Sequence, residues 1–301
     1  MRGYLLVGLV VASVLGCGSG GGGSSSKRSG STIGPITSST TRTPPRTSPP
    51  ATTSSTTTTT PPAPPVVTPP PATSGSGGTS TQRGLFTRQV TTVPQAGLPA
   101  ITVDYKVLVP QSYVFDAGKP VPLVISELTP VSYWDQIPEQ EGFILVEQQG
   151  YRGTGGFTYD YDPLVLAGIL DDVEKTWNVD MKRLYLTGFS AGAHWSYTIG
   201  LANSQVFAGL GICAGSLGSA ASVGVWVPGA TVQPNVPRKV FVAIRHGTTD
   251  AVVPVNEGRI ARDQLRAAGH TVDHMELSLG HTVTTAELQG LWAALKSQRL
   301  P

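Results

Sequence analysis

Cysteine is nearly missing from this chain: Cys17 and Cys213 are the only two among 301 residues. With Cys17 close to the N-terminus, Cys213 stands alone in the remainder, so an intramolecular disulfide framework is not expected. Acidic residues are absent from residues 1–83, which hold six of the 21 Lys and Arg; residues 84–301 keep 15 basic against all 19 acidic residues, a formal charge of about −4. A mildly acidic body offers no basic groove, and nucleic acid is not expected as a partner. Long apolar runs are scarce too. The apolar stretch at residues 4–15 has 12 residues, short of the roughly 20 that span a bilayer as a helix. No two of the five histidines show metal-ligand spacing, so zinc is not expected. No cofactor is implied.

The short apolar run has another reading. Arg2 precedes it and Val14-Leu15-Gly16-Cys17 follows, the order of a secretory signal. This segment resembles a bacterial lipoprotein lipobox. The resemblance implies cleavage after residue 16, lipidation of Cys17, and a membrane anchor outside the cytoplasm; Gly18 in place of an Asp points to the outer membrane where the cell has one. Residues 17–83 then read as a Gly-, Ser-, Thr- and Pro-rich linker, with too few large apolar side chains to form a core. Its prolines keep it extended, holding the body away from its anchor.

From residue 84 onward the chain reads as one domain. Strands are expected at residues 101–109, 121–126, 143–146, 184–187, 209–213, 240–244 and 272–277. Helices are expected at 163–177, 191–201, 256–268 and 285–296. Short apolar strands alternating with helices predict an α/β fold: a mostly parallel sheet with helices on both faces.

Chemistry concentrates at Gly188-Phe189-Ser190-Ala191-Gly192. A strand precedes it and a helix follows, the context of a nucleophile elbow. A serine hydroxyl attacks well only when exposed, oriented and beside a base. The tight bend supplies exposure, flanking glycines relieve the crowding, and the helix N-terminus aims backbone N–H groups at a developing oxyanion. An acid and a base should follow in that order. Asp250, in His246-Gly247-Thr248-Thr249-Asp250, comes 60 residues after Ser190, and His281, in Gly280-His281, comes 31 after Asp250. Each falls in a loop just past a strand, where open α/β sheets carry their sites. His281 would take the Ser190 proton while Asp250 fixes its tautomer.

Rival residues read as structure. His246 lies too close to Asp250 in sequence to be its partner, His194 points from the helix after the elbow into the fold or the site rim, and His270 and His274 belong to a strand region. Cys213 reads as a small buried hydrophobe. Asp171 and Asp172 read as a solvated helix face or a loop anchor, and Asp160 and Asp162 as a turn.

Residues from about 104 to 297 resemble the α/β-hydrolase esterases grouped with polyhydroxybutyrate depolymerases and feruloyl or acetylxylan esterases. The resemblance rests on Asp180 through Gly192, on His246 through Asp250 continuing to Val253-Pro254, and on Gly280-His281-Thr282. It implies an α/β-hydrolase fold and a carboxylic ester substrate, polymeric or carbohydrate-linked. One departure stands out. Such esterases carry His-Gly at the end of an early strand, where a backbone N–H completes the oxyanion hole; here that strand runs Ser126-Glu127-Leu128-Thr129. Ala191 N–H would be one donor and the backbone of Leu128 or Thr129 the second. Losing one donor costs about 100- to 1000-fold in rate. Tyr151, in the Gly-rich stretch 149–157, and Trp195 and Trp226 are candidates for substrate contact; a plain loop and core packing are the alternatives. The leading expectation is therefore an extracytoplasmic serine esterase working through an acyl-enzyme on Ser190. A serine peptidase and a weak or inactive surface-binding module are the competing readings.

Overall fold

The computed structural model describes residues 74–301 except positions 96, 154, 218, 221–224 and 227–235, with backbone only at 219, 220, 225 and 226. Cys17, the signal-like segment and the linker up to residue 73 lie outside the described residues.

In chain order the elements are β1 (Gly84–Thr91), β2 (Thr102–Val109), β3 (Val121–Glu127), α1 (Val131–Trp134), α2 (Ile137–Glu141), β4 (Ile144–Gln148), α3 (Asp162–Thr176), β5 (Val179–Phe189), α4 (Ala191–Ala202), β6 (Gly209–Cys213), β7 (Ser219–Ala220), β8 (Val225–Trp226), β9 (Phe241–Gly247), α5 (Val255–Ala267), β10 (Thr271–Leu277) and α6 (Thr285–Leu295). Eight strands make one sheet in the order β1-β2-β4-β3-β5-β6-β9-β10. β1 with β2 and β2 with β4 pair antiparallel; the other neighbours pair parallel. This is the α/β-hydrolase fold.

Side-chain parity explains why both faces need helices. Leu123 and Ile125, Ile144 and Val146, Leu184 and Leu186, Leu210 and Ile212, Val242 and Ile244 enter one buried cluster with α3, α4 and α5. Their alternates Val124, Leu145, Tyr185, Cys213 and Ala243 enter a second cluster with Trp134, Leu288, Leu291, Trp292 and Leu295. A parallel strand buried on both sides must be apolar at nearly every position, as these are.

Three features differ from expectation. β1 was not anticipated, because Gly84-Leu85-Phe86-Thr87-Arg88-Gln89-Val90-Thr91 is half polar. As an edge strand it needs only one buried face. Phe86 packs on Trp177 with ring centroids 6.0 Å apart, and Arg88 makes a bidentate pair with Asp172 of α3 (2.7 and 2.8 Å). Asp172 is thus a tie between helix and edge strand. The short helices α1 and α2 follow no 3.6-residue pattern, and β5 begins at Val179, five residues before the apolar run that signalled it. Finally, residues 75–82, linker-like in composition, lie along the body. Ser76 Oγ donates to the carbonyls of Glu174 and Trp177 (2.8 Å each), and Trp177 Nε1 donates to Gln82 O at 2.9 Å.

The sheet also fixes where chemistry can sit. From β3 the chain passes to β4 on one side and returns to β5 on the other. Ligands bind in α/β sheets outside the carboxyl ends at such a reversal. Glu127, the last residue of β3, pairs with Gly188 of β5 at that place.

Candidate active site

Ser190 occupies the bend between β5 and α4 with φ 52° and ψ −119°. A non-glycine residue rarely holds positive φ, and such a conformation costs on the order of 1–3 kcal/mol. The fold maintains it through neighbours. Ser190 N–H donates to Cys213 O at 3.0 Å, and its own carbonyl accepts His194 N–H at 3.0 Å. Gly192 permits the close crossing of α4 over β3: a Cβ there would fall inside the van der Waals surface of the Glu127 carbonyl.

Asp250 and His281 arrive on two loops laced together. Thr248 N–H donates to Leu277 O (2.7 Å), Thr249 N–H to Leu279 O (3.0 Å) and Thr249 Oγ1 to Leu279 O (2.9 Å). Gly247 makes this approach possible, because a Cβ would collide with the carbonyls of Leu279 and Gly280. A capping box between Thr284 and Glu287 starts α6 just beyond His281, and Phe189 packs on the imidazole with ring centroids 4.9 Å apart.

His281 Nε2 lies 2.9 Å from Ser190 Oγ, and its Nδ1 lies 2.8 Å from Asp250 Oδ2. The other Asp250 oxygen accepts the N–H groups of Val252 and Val253, each at 2.8 Å. Burial works to raise the Asp250 carboxyl, yet the bonds from His281, Val253 and Val252 outweigh it and hold the group below its ordinary value. A carboxylate in that position keeps the proton on Nδ1 and leaves Nε2 free to accept from the serine hydroxyl. Ser190, Asp250 and His281 are therefore brought together in the order the sequence suggested.

The neighbouring residues divide cleanly. His246 is buried beneath Asp250, its Nε2 donating to Val253 O at 2.8 Å and standing 3.8 Å from Asp250 Oδ2. His194 Nδ1 accepts Ser216 N–H at 2.8 Å, and burial lowers its pKa. Cys213 is buried, which pushes its thiol well up, with Glu287 adding to the rise; a thiol so held is a poor nucleophile. Among the described residues no group of three His, Cys, Asp or Glu is arranged to hold a metal.

Two expected contacts are corrected. Trp195 does not face a cleft: it is fully buried and stacks on Phe157 at 5.6 Å. It belongs to the apolar cluster that α3, α4 and α5 share with the sheet, so burial claimed it. Leu128 N–H donates to Gln148 O at 2.8 Å and is not free to serve an oxyanion; the residue stands at φ 56° because the chain turns sharply out of β3 there. Thr129 is buried beside it, and Ala191 opens α4 directly after Ser190. Tyr151 is half-buried, packing on Tyr161 at 4.8 Å. Trp226 lies in β8, and its side chain falls outside the described set.

Glu127 closes β3, at the strand end where the resemblance leads one to expect His-Gly. It is completely buried, and neither carboxyl oxygen has a hydrogen-bond partner among the described residues. Burial, reinforced by the charge of Asp162, raises its pKa well above the ordinary value. An acid raised in this way stays protonated in the folded state while the unfolded chain releases the proton above about pH 4.5. Folding stability therefore falls as pH rises past that point. Glu127→Gln should melt at a higher temperature than the parent at pH 8, with the gap closing toward pH 4. Thermal melts at the two pH values check this, each 1 kcal/mol reading as about 2–4 °C; equal melting temperatures at pH 8 would contradict it.

Comparison with known proteins agrees with this fold. The Phospholipase/Carboxylesterase family model matches residues 165–297. A bifunctional acetylxylan esterase/xylanase of Neocallimastix patriciarum is 25% identical over 197 residues, covering 54% of this chain; the chain spans only 27% of that relative's length. A thermostable esterase structure superposes with a TM-score of 0.51 at 18% identity, covering 71% of this chain and 63% of that one. Dipeptidyl peptidase 4 of Porphyromonas gingivalis superposes with a TM-score of 0.52 at 14% identity, covering 71% and 36%. At those identities the superpositions speak to fold alone. Sheet order and superposition together give the chain the α/β-hydrolase fold, and its C-terminal part, residues 165–297, is similar to the Phospholipase/Carboxylesterase family.

Proposed function

We propose that this protein is a serine esterase that cleaves carboxylic esters through an acyl-enzyme on Ser190. The observation that carries the reading is the unbroken relay from Ser190 Oγ to His281 (2.9 Å) to Asp250 (2.8 Å). Ser190 Oγ attacks the ester carbonyl as its proton passes to His281 Nε2. The imidazolium then returns that proton to the departing alcohol. A water deprotonated by the same nitrogen attacks the acyl-enzyme and releases the acid. Ala191 N–H, at the start of α4, would face the tetrahedral oxygen, and the backbone of Thr129 remains as the second donor now that Leu128 is committed. The acetylxylan esterase relative supports an ester of a polymeric or carbohydrate-linked kind. On the lipobox reading the enzyme works outside the cytoplasm, held to a membrane through Cys17.

The commitment of Leu128 N–H to Gln148 favours one second reading, a catalytically weak module that binds esters without turning them over. A fluorophosphonate probe separates the two. The esterase is expected to label at Ser190, located by peptide mass spectrometry, and to hydrolyse p-nitrophenyl esters between acetate and octanoate. A folded protein that neither labels nor hydrolyses would leave only the binding module.

A further inference from the structure

The Gly-rich connection from β4 to α3 hangs on one buried carboxylate. Asp162 begins α3 and is completely buried. Its Oδ1 accepts Tyr151 N–H at 2.8 Å and the Gln148 amide at 3.4 Å. Its Oδ2 accepts Thr158 N–H at 2.6 Å and the Thr158 hydroxyl at 3.3 Å. Both ends of the connection are thus pinned to a single side chain. The helix N-terminus favours the negative charge, while burial opposes it more strongly and pushes the carboxyl up to about 6 against the bonds from Thr158 and Tyr151.

Between those two pins, Gly155 presses on the wall of the site. A Cβ on Gly155 would come within 3.1 Å of both the Ala191 methyl and Leu128 Cδ2. Ala191 follows the candidate nucleophile, and Leu128 closes β3. Asp162 therefore sets, through Tyr151 and Thr158, how tightly a backbone segment bears on the two residues that frame the oxyanion side of Ser190.

We propose that Asp162 is a positioning residue for ester hydrolysis, holding the β4–α3 connection against Ala191 and Leu128 so that the oxyanion side of the Ser190 site is fixed before substrate arrives. The proposal rests on the esterase reading above. Asp162 touches no reacting atom; it acts through the connection it pins. The physical reason for an effect on rate is that a misplacement of about 1 Å at a reacting centre costs on the order of 100-fold. Such a cost falls on the transition state and hence on kcat, because the ground-state ester does not depend on the oxyanion donors.

The test is steady-state kinetics on p-nitrophenyl acetate with Asp162→Asn and, separately, Gly155→Ala. Asn keeps one acceptor oxygen and turns an NH2 toward a backbone N–H, which frees one pin. Ala at residue 155 pushes the connection off Ala191 and Leu128 from the other side and leaves Asp162 intact. Both variants are expected to lose about 10- to 100-fold in kcat with KM changed by less than about threefold, and to label more slowly with fluorophosphonate. Should Asp162→Asn fail to fold, Gly155→Ala still tests the contact through which Asp162 acts, and parental kcat in that variant would overturn the role. Folded variants with parental kcat and labelling rate would overturn the positioning role while leaving the esterase reading intact. A rise in KM at unchanged kcat would also overturn it, since that marks lost substrate binding. A parent enzyme that neither labels nor hydrolyses would overturn both.

Discussion

Ser190→Ala should lower kcat for p-nitrophenyl acetate by about 10⁴- to 10⁶-fold without unfolding the protein. The substitution removes one oxygen and nothing else. Its hydroxyl meets His281 Nε2 at 2.9 Å and is half-buried, so no packing depends on it. Serine and alanine carry the same penalty at φ 52°, because each has a Cβ and lacks any further branching at that atom. What remains in the variant is whatever rate acceleration the oxyanion donors and substrate binding provide by themselves. The measurement is initial-rate kinetics on parent and variant purified in parallel, with thermal melts to establish that both are folded. A variant retaining more than about 1% of the parental kcat would remove Ser190 from the mechanism.

Asp250→Asn should cost about 10⁴-fold in kcat, and the reason lies in how the carboxylate is held. One oxygen is fixed by Val252 and Val253 N–H, each at 2.8 Å. Those donors would select the oxygen of an asparagine for their side. The amide NH2 would then face His281 Nδ1, now 2.8 Å from Asp250 Oδ2. Facing a donor, the imidazole would move its proton to Nε2 and lose the lone pair that accepts from Ser190. The geometry would persist with the wrong tautomer. His246 beneath this pair offers no replacement, because its Nε2 is engaged by Val253 O at 2.8 Å. Initial rates of parent and variant measured side by side at pH 8 check the prediction. A loss under tenfold would mean that His281 does not rely on Asp250 for its tautomer.

The regular elements were legible wherever burial on both faces forced a continuous apolar run. β3, β4, β6 and β9 are such strands, and each lies within a few residues of its expected position. Burial on one face only leaves a weaker mark. The edge strand β1 alternates apolar with polar residues and depends on Trp177 and Asp172, 84 or more positions along the chain. The polar start of β5, Asp180 through Arg183, likewise carries a weak apolar signal, Met181 alone. Its Arg183 pairs with Asp180 at 2.6 Å, a contact that composition does not disclose.

The sequence by itself determined the chemistry on offer. Gly188 through Gly192 dictates a bend, since a Cβ at Gly188 would collide with the Gly192 carbonyl, and a serine at its apex is turned out of the sheet by that bend. Asp250 and His281 follow in loops because apolar strands end just before them. These are local facts, settled by sterics and by the period of the hydrophobic pattern. Only the tertiary structure decided which backbone donors and side chains are free to act. Leu128 N–H is lost to Gln148, Trp195 is buried under Phe157, and Asp162, an ordinary turn residue in one dimension, gathers the donors of Tyr151, Thr158 and Gln148. Hydrogen-bond satisfaction is settled between segments distant along the chain, and a buried polar group takes the nearest partner the packing supplies. That competition leaves no trace in the order of residues.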